Sequence, residues 1–273
     1  MRQQATYTYG HSSAVVAVHA SRTAAKEAAF FLPHLRPGMR LLDAGCGPGT
    51  ITVGLAEAVA PGETVGLDSE ASVLEGVRAL AAARGVRNLR FETGDAGALP
   101  FPDGSFDAVF AHTLLEHVRD PAGTLRELRR VLTPRGVLGV RDCDWGSGVF
   151  SPADPAVELA MTLYARVWGH NGGHPNGGRE LRRWLQDAGF CRVETSVSFR
   201  WDGSLDGSIN NSRDFGELLA RRLLLPNFAN PVVRMGWADE AALRETSAAC
   251  LAWSQRPDAF AAMIMVEAVG WNE

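Results

Sequence analysis

Three aspartates, Asp43, Asp68 and Asp95, each stand at or just past the end of a short apolar run, in order along the first half of the chain. From the first of them the sequence reads Asp43-Ala44-Gly45-Cys46-Gly47-Pro48-Gly49-Thr50, a strand pattern that enters a glycine turn and then a helix. Glycine there permits both the tight turn and the approach of a ligand to bare backbone, where a Cβ would collide. Asp68 follows the first glycines by about 20 residues, the interval at which a carboxylate reaches ribose hydroxyls in strand-turn-helix folds. Together these residues call for a nucleoside-like ligand. The spacing is GxGxG, not the GxGxxG of a dinucleotide site, and no Lys-Ser/Thr pair follows the last glycine, as a phosphate loop would need. A bare strand-to-helix turn remains the alternative for the glycines, and a helix N-cap for Asp68.

The elements that must position these groups are legible from Met39 onward, where β-branched runs alternate with helical stretches, the mark of a parallel sheet covered on both faces. Strands are predicted at Arg40–Ala44, Thr64–Asp68, Leu89–Thr93, Phe106–Ala111 and Gly136–Asp142, and helices at Thr50–Ala60, Ser72–Arg84 and Ala122–Leu132. Pro61-Gly62, Gly85 and Thr133-Pro134-Arg135-Gly136 supply the stops. Past Asp142 the pattern changes. A Gly/Ser/Pro stretch (Asp144–Pro155), a helix near Ala156–Trp168 and the polar loop Gly169–Gly178 read as an insertion, after which helix Glu180–Ala188 and strand Cys191–Phe199 resume the alternation. The helical and loop-like stretch Trp201–Pro257 reads as a cap, Phe260–Val269 as a last strand, and Ser13–Leu32 as N-terminal helices capped by Ser12 or Ser13.

Beyond the third strand comes Gly94-Asp95-Ala96-Gly97-Ala98-Leu99-Pro100-Phe101-Pro102-Asp103-Gly104-Ser105-Phe106-Asp107. This string resembles the GDA-x-x-LPF-x-D-x-SFD segment of class I S-adenosylmethionine-dependent methyltransferases of the ubiquinone/menaquinone-biosynthesis type. The glycine turn resembles that family's motif I. Leu128-Arg129-Arg130-Val131-Leu132-Thr133-Pro134-Arg135-Gly136 resembles its R-V-L-x-P-x-G approach to the fifth strand. The resemblance runs from about Met39 to Asp142. It implies a Rossmann-like α/β fold, with a seven-stranded, mostly parallel sheet, helices on both faces, an N-terminal helical lid over residues 1–38, a core of 39–200 and 258–273, and cap insertions at 143–178 and 201–257.

The same resemblance implies S-adenosylmethionine as cofactor. Asp43, Gly45, Cys46, Gly47 and Gly49 would cradle its methionine part, Asp68 with Ser69 its ribose, and Asp95 with the Ala96 amide its adenine. His112, in the segment His112–Pro121 that resembles the family's post-strand element, would lie near the sulfonium; a packed or surface side chain is the alternative. The N-terminal pattern of Tyr7, Tyr9, His11, His19 and Arg22 is similar to that of actinobacterial small-molecule methyltransferases. It would place Arg22 at the cofactor carboxylate and Tyr7 or Tyr9 at the methyl site, unless the tyrosines only pack the helix entry.

Asp142, at the end of the fifth strand, is a candidate proton acceptor, with His112 and Tyr7 as further catalytic candidates. Tyr9, His11, Trp145, Trp168 and His174 are candidate substrate contacts, since aromatic rings enclose flat acceptors; tryptophans packed in a core are the alternative. In-line methyl transfer depends on holding the nucleophile near the methyl carbon, so a strong base is not required.

A net charge of −4 with acids and bases interspersed lacks the basic footprint of nucleic-acid binding. The four cysteines, Cys46, Cys143, Cys191 and Cys250, form no CxxC pair and have no histidine at ligand spacing, so neither a metal nor a disulfide is expected. No apolar run reaches the roughly 18 residues of a membrane span, and a cytoplasmic protein is expected, with a homodimer possible. The expected reaction is methylation of a small aromatic or heteroaromatic metabolite, such as an indole or quinone-like ring, in specialised metabolism, with carbon favoured over nitrogen or oxygen. A non-catalytic S-adenosylmethionine-binding regulator is the alternative, and a nicotinamide-dependent oxidoreductase is disfavoured by the glycine spacing.

Overall fold

The computed structural model describes residues 22–200 and 211–273. These fall into two compact units. The larger holds 22–142, 177–196 and 266–273, and the smaller 143–176, 197–200 and 211–265.

A seven-stranded sheet has the order β3-β2-β1-β4-β5-β7-β6, with β1 Leu41–Ala44, β2 Thr64–Asp68, β3 Leu89–Thr93, β4 Phe106–His112, β5 Leu132–Ser151, β6 Arg192–Arg200 and β7 Phe260–Trp271. All seven strands contribute to the larger unit. β3, β2, β1, β4 and β5 pair in parallel, with Asp43 in register with Gly66 on one side and Phe110 on the other. β7 runs against β5, since Asn272 N–H donates to Gly136 O at 2.9 Å while Ile264 N–H donates to Ser147 Oγ at 3.0 Å. The strand order reverses between β1 and β4, the point at which ligands sit in open parallel sheets.

Side-chain alternation splits the core of the larger unit between the two faces of its sheet. Leu42, Ala44, Val65, Leu67, Val109, Ala111, Leu138 and Val140 feed one cluster, completed by Leu125, Leu128, Trp184 and Leu185. Leu41, Ala108, Phe110 and Val137 feed the other, completed by Ala28, Phe31, Ile51, Leu55 and Val59. Helices α2 (Thr50–Val59), α3 (Glu75–Ala83), α4 (Pro121–Arg130) and α6 (Gly177–Asp187) cover the sheet, and α1 (Ala24–Glu27) packs on α2 where Gly54 leaves room: a Cβ there would stand 2.7 Å from Ala24 Cβ.

Three expectations shift. The helix expected from Ser72 begins at Glu75, behind a 3-10 turn over Ala71–Leu74. Of the expected N-terminal helices the described part holds only α1 and a 3-10 turn, Leu32–His34; the rest lies outside the described residues. β5 runs through both its expected entry turn and the Asp144–Pro155 stretch as far as Ser151, because β7 supplies hydrogen-bond partners that composition cannot reveal.

In the smaller unit α5 (Pro155–His170), α7 (Asn211–Leu223), α8 (Pro226–Arg234) and α9 (Glu240–Ser254) pack around aromatic side chains. Asp154 and Asp239 cap α5 and α9 by accepting from the amides of Ala156 and Ala242, each at 2.8 Å. No helix among the described residues is long and apolar enough to cross a membrane.

Candidate cofactor site

The glycine turn is built by backbone bonds that tie β1 to β2. Gly45 N–H and Cys46 N–H both donate to Leu67 O, at 2.8 and 3.0 Å, and Gly49 N–H closes the turn on Cys46 O at 3.0 Å. Gly47 has φ +52°, and a Cβ added there would have nothing within 4 Å, so the turn presents a bare, left-handed backbone to open space. Gly49, at φ +68°, answers to a different constraint: its Cβ would collide with Val77 Cγ1, because α3 passes close by.

Asp68 stands beside this turn. Its Oδ2 accepts from Gly47 N–H at 2.9 Å and its Oδ1 from Glu70 N–H at 3.0 Å. An ionised carboxylate offers about four acceptor sites, so two remain for a pair of hydroxyls. Asp43, 2% exposed, accepts from Thr52 Oγ1 at 2.6 Å. Burial, only partly offset by that hydrogen bond and reinforced by the charge of Asp68, pushes its carboxyl up to about 7. Burial also drives the Cys46 thiol well above its ordinary range, leaving it an apolar wall of the turn.

Past β3, Gly94 N–H donates to Asp68 O at 2.9 Å, which brings the Gly94–Leu99 segment alongside β2. Asp95 Oδ1 accepts from Gly97 N–H at 2.8 Å and the residue is exposed, while Ala96 and Leu99 are buried beneath it. Ser69 is exposed next to Asp68. The structure thus brings Asp43, Gly45, Cys46, Gly47, Gly49, Asp68 and the Asp95–Ala96 segment together at the C-terminal ends of β1, β2 and β3. An adenosyl group fits this arrangement: open space above Gly47, spare acceptor capacity on Asp68 and an exposed Asp95 over an apolar floor.

β4 and β5 close the other side. His112, at the end of β4, is 7% exposed, and its Nε2 lies 3.9 Å from Glu27 Oε2. Thr113 follows with φ +50°, its N–H donates to Arg141 O at 2.8 Å, and its hydroxyl accepts from Arg22 Nη1 at 3.3 Å. Leu114 approaches the glycine turn: a Cβ on Gly45 would stand 3.0 Å from Leu114 Cδ1. Asp142 is 0% exposed. Burial lifts its carboxyl to about 7, against the opposing pull of the Glu116, Leu115 and Leu114 amides and of Arg141. Among the described residues neither of its oxygens makes a hydrogen bond of normal geometry. This group faces the Leu114–Glu116 turn inside the larger unit and has no exposed surface.

Tyr7, Tyr9, His11 and His19 lie outside the described residues. Trp145, Trp168 and His174 belong to the smaller unit. There Trp145 stacks on Tyr164 at 5.3 Å and meets Trp168 edge-on at 5.4 Å, with Phe228 5.0 Å from Tyr164 and the Arg222 guanidinium 5.7 Å from the Tyr164 ring. Trp145 and Trp168 are buried and His174 is half-buried. Among the described residues no group of three or more His, Cys, Asp or Glu is placed to hold a metal.

Sequence reasoning passed over Thr52, Thr113, Glu27, Arg141 and Glu267. Thr52 was within reach, two residues into the helix that leaves the turn. Arg141, a charge in an otherwise apolar strand, was a visible anomaly, but its partners are too remote in sequence to be inferred.

Residues 35–189, more than half of the chain, match the family described as Methyltransferase domain. The chain is 35% identical over 205 residues to an uncharacterized methyltransferase of Schizosaccharomyces pombe, covering 71% of this chain and 73% of that protein. It is 33% identical over 171 residues to the nocamycin O-methyltransferase of Saccharothrix syringae, covering 58% of this chain and 61% of the other. In fold it is similar to phosphoethanolamine N-methyltransferase 2 of Haemonchus contortus, solved with S-adenosyl-L-methionine, at a TM-score of 0.54 with 15% identity, covering 87% of this chain and 50% of that one.

Proposed function

This chain belongs to the methyltransferase-domain family and is an S-adenosylmethionine-dependent methyltransferase, and we propose that its acceptor is a small aromatic or heteroaromatic molecule, methylated on ring carbon ahead of nitrogen or oxygen. The observation that carries the choice of atom is the burial of Asp142. The Asp142 carboxyl, expected to take a proton at the end of the fifth strand but set midway along β5, is sealed, with none of its surface exposed. An electron-rich ring attacks without prior deprotonation and gives up its proton to solvent after transfer, so it needs no such base. A hydroxyl acceptor gains more from one. Support for a small acceptor comes from the acidic net charge of −4 and from the nocamycin O-methyltransferase relative, whose name also points to specialised metabolism.

When bound, S-adenosylmethionine would supply an electrophilic methyl carbon for in-line attack by an acceptor electron pair, with the bond to sulfur breaking to leave a neutral thioether. The chain's own part is positioning. The Gly45–Gly49 backbone receives the amino-acid portion, and Asp43 below it is held by Thr52. Asp68 accepts from the ribose hydroxyls with the capacity left after Gly47 and Glu70. Asp95 accepts from the adenine amino group, the Ala96 amide meets the ring, and Leu99 packs it. His112 and Arg22 line the methionine end, and Asp142 acts through the Leu114–Glu116 turn. Tyr7, Tyr9, His11 and His174 remain the proposed acceptor contacts, while Trp145 and Trp168, buried against each other and Tyr164, fit the core-packing alternative.

Incubation with methyl-labelled S-adenosylmethionine and a panel of indoles, phenols and quinols, read by mass analysis, tests this reading. Label on a ring carbon is the expected result. Label confined to phenol oxygens, or to no small molecule while a macromolecule is labelled, would overturn it.

A further inference from the structure

Four ionisable side chains meet inside the larger unit, each from a different element. Arg141 on β5, 3% exposed, donates through Nη1 to Glu27 Oε2 and through Nε to Glu267 Oε1 on β7, the latter at 3.3 Å. Glu267 Oε2 accepts from Ser196 Oγ on β6 at 2.6 Å, and His112 Nε2 on β4 faces Glu27 Oε2 at 3.9 Å. Buried ion pairs of this kind add little net stability over apolar packing of the same volume. They are directional, and the direction here is informative.

Glu27 ends α1, five positions after Arg22, and each of these residues is tied to the same stretch of backbone. Glu27 holds the Arg141 side chain, Arg141 O holds Thr113 N–H at 2.8 Å, and Thr113 Oγ1 holds Arg22 Nη1 at 3.3 Å. The loop of contacts closes at Thr113, whose positive φ of +50° sets it on the rim beside Leu114 and the Gly45 turn. The chain therefore enters α1 at the edge of the cofactor crevice, and the pair at Glu27 fixes where.

We propose that Glu27 and Arg141 are positioning residues that hold α1 and Arg22 at the crevice rim, and so set how long the bound cofactor product stays. The proposal rests on the cofactor crevice described above. Glu27→Gln keeps the shape and removes the charge, and S-adenosylhomocysteine is expected to dissociate about tenfold faster from it, the scale of one lost charge-assisted hydrogen bond. Glu267→Gln is the structural control, since it removes a second carboxylate partner of Arg141 without touching α1. Its dissociation rate is expected to stay within about twofold of the unaltered chain while its Tm falls.

Dissociation by stopped-flow fluorescence, together with Tm, separates the outcomes. Equal rates for the unaltered chain and Glu27→Gln, or equal acceleration by Glu267→Gln, would show a merely structural network and overturn the proposal. Hydrogen exchange in the unaltered chain does not depend on any variant folding. Protection at Ala28, whose N–H donates to Ala24 O at 2.9 Å, is expected to rise when S-adenosylhomocysteine is added. Unchanged protection despite measurable binding would sink the latch alone. Absence of binding would sink the crevice and the latch with it.

Discussion

The Thr52 hydroxyl donates to Asp43 Oδ2 at 2.6 Å, joining the third residue of α2 to the end of β1 beneath the glycine turn. Desolvation favours the protonated carboxyl, and the hydroxyl is the one contact that draws its pKa back, so the pair sets whether Asp43 is charged at neutral pH. Thr52→Val removes the hydroxyl at nearly constant volume. Asp43 should then titrate higher, and affinity for the cationic S-adenosylmethionine should fall more than affinity for neutral-sulfur S-adenosylhomocysteine. Calorimetry with both ligands checks this, and an equal loss for the two would speak against a charge effect.

Asp43 and Asp142 each keep a proton in the folded chain to about 7, against 3.8 for the free group. Between those values the folded chain binds more protons than the unfolded one, so stability should fall as pH rises, by up to ~1.4 kcal/mol per pH unit for each group, and level off above the folded value. Denaturant midpoints across that range measure it. Asp43→Asn should flatten part of the slope, and a midpoint that rises through the window contradicts the assignment.

Gly47 and Gly49 should separate binding from folding. Gly47→Ala meets no neighbouring atom and carries only the left-handed backbone cost of ~1–2 kcal/mol, yet its methyl enters the open space proposed for the cofactor. Gly49→Ala adds a clash with Val77 and should cost ~2–4 kcal/mol of stability. The first variant is expected to fold and bind weakly, the second to melt early. Normal binding by Gly47→Ala would remove the turn from the site.

Asp68→Ala should weaken cofactor binding by ~1–3 kcal/mol, the scale of charge-assisted hydrogen bonds, because the proposed ribose ligand is lost and the Gly47 and Glu70 amides lose their acceptor. Unchanged affinity in calorimetry would refute its role as the ribose ligand.

Asp142→Asn tests whether that residue moves a proton or holds a turn. A positioning role predicts kcat and cofactor affinity within about threefold of the unaltered chain, with Asp142→Ala losing ~1–3 kcal/mol of stability as the amides of Leu114–Glu116 lose the carboxyl that faces them. A large fall in kcat for Asp142→Asn at unchanged Tm and Kd would instead make it the base.

The amino-acid sequence by itself determined the parallel α/β architecture and the local shape of the turn. Both are short-range: alternation fixes each strand's faces, and glycine spacing fixes a bend within five residues, so Thr64–Asp68 and Leu89–Thr93 could be read to the residue. Tertiary structure alone decided that Arg141 meets Glu27 and Glu267, partners 114 and 126 positions away. It alone decided that Asp142 points into a turn with no surface exposed, and that β5 continues through a glycine-rich stretch to Ser151. A side chain's neighbours, and hence its charge state and chemical role, come from which strands the sheet sets side by side, and no local pattern encodes that order.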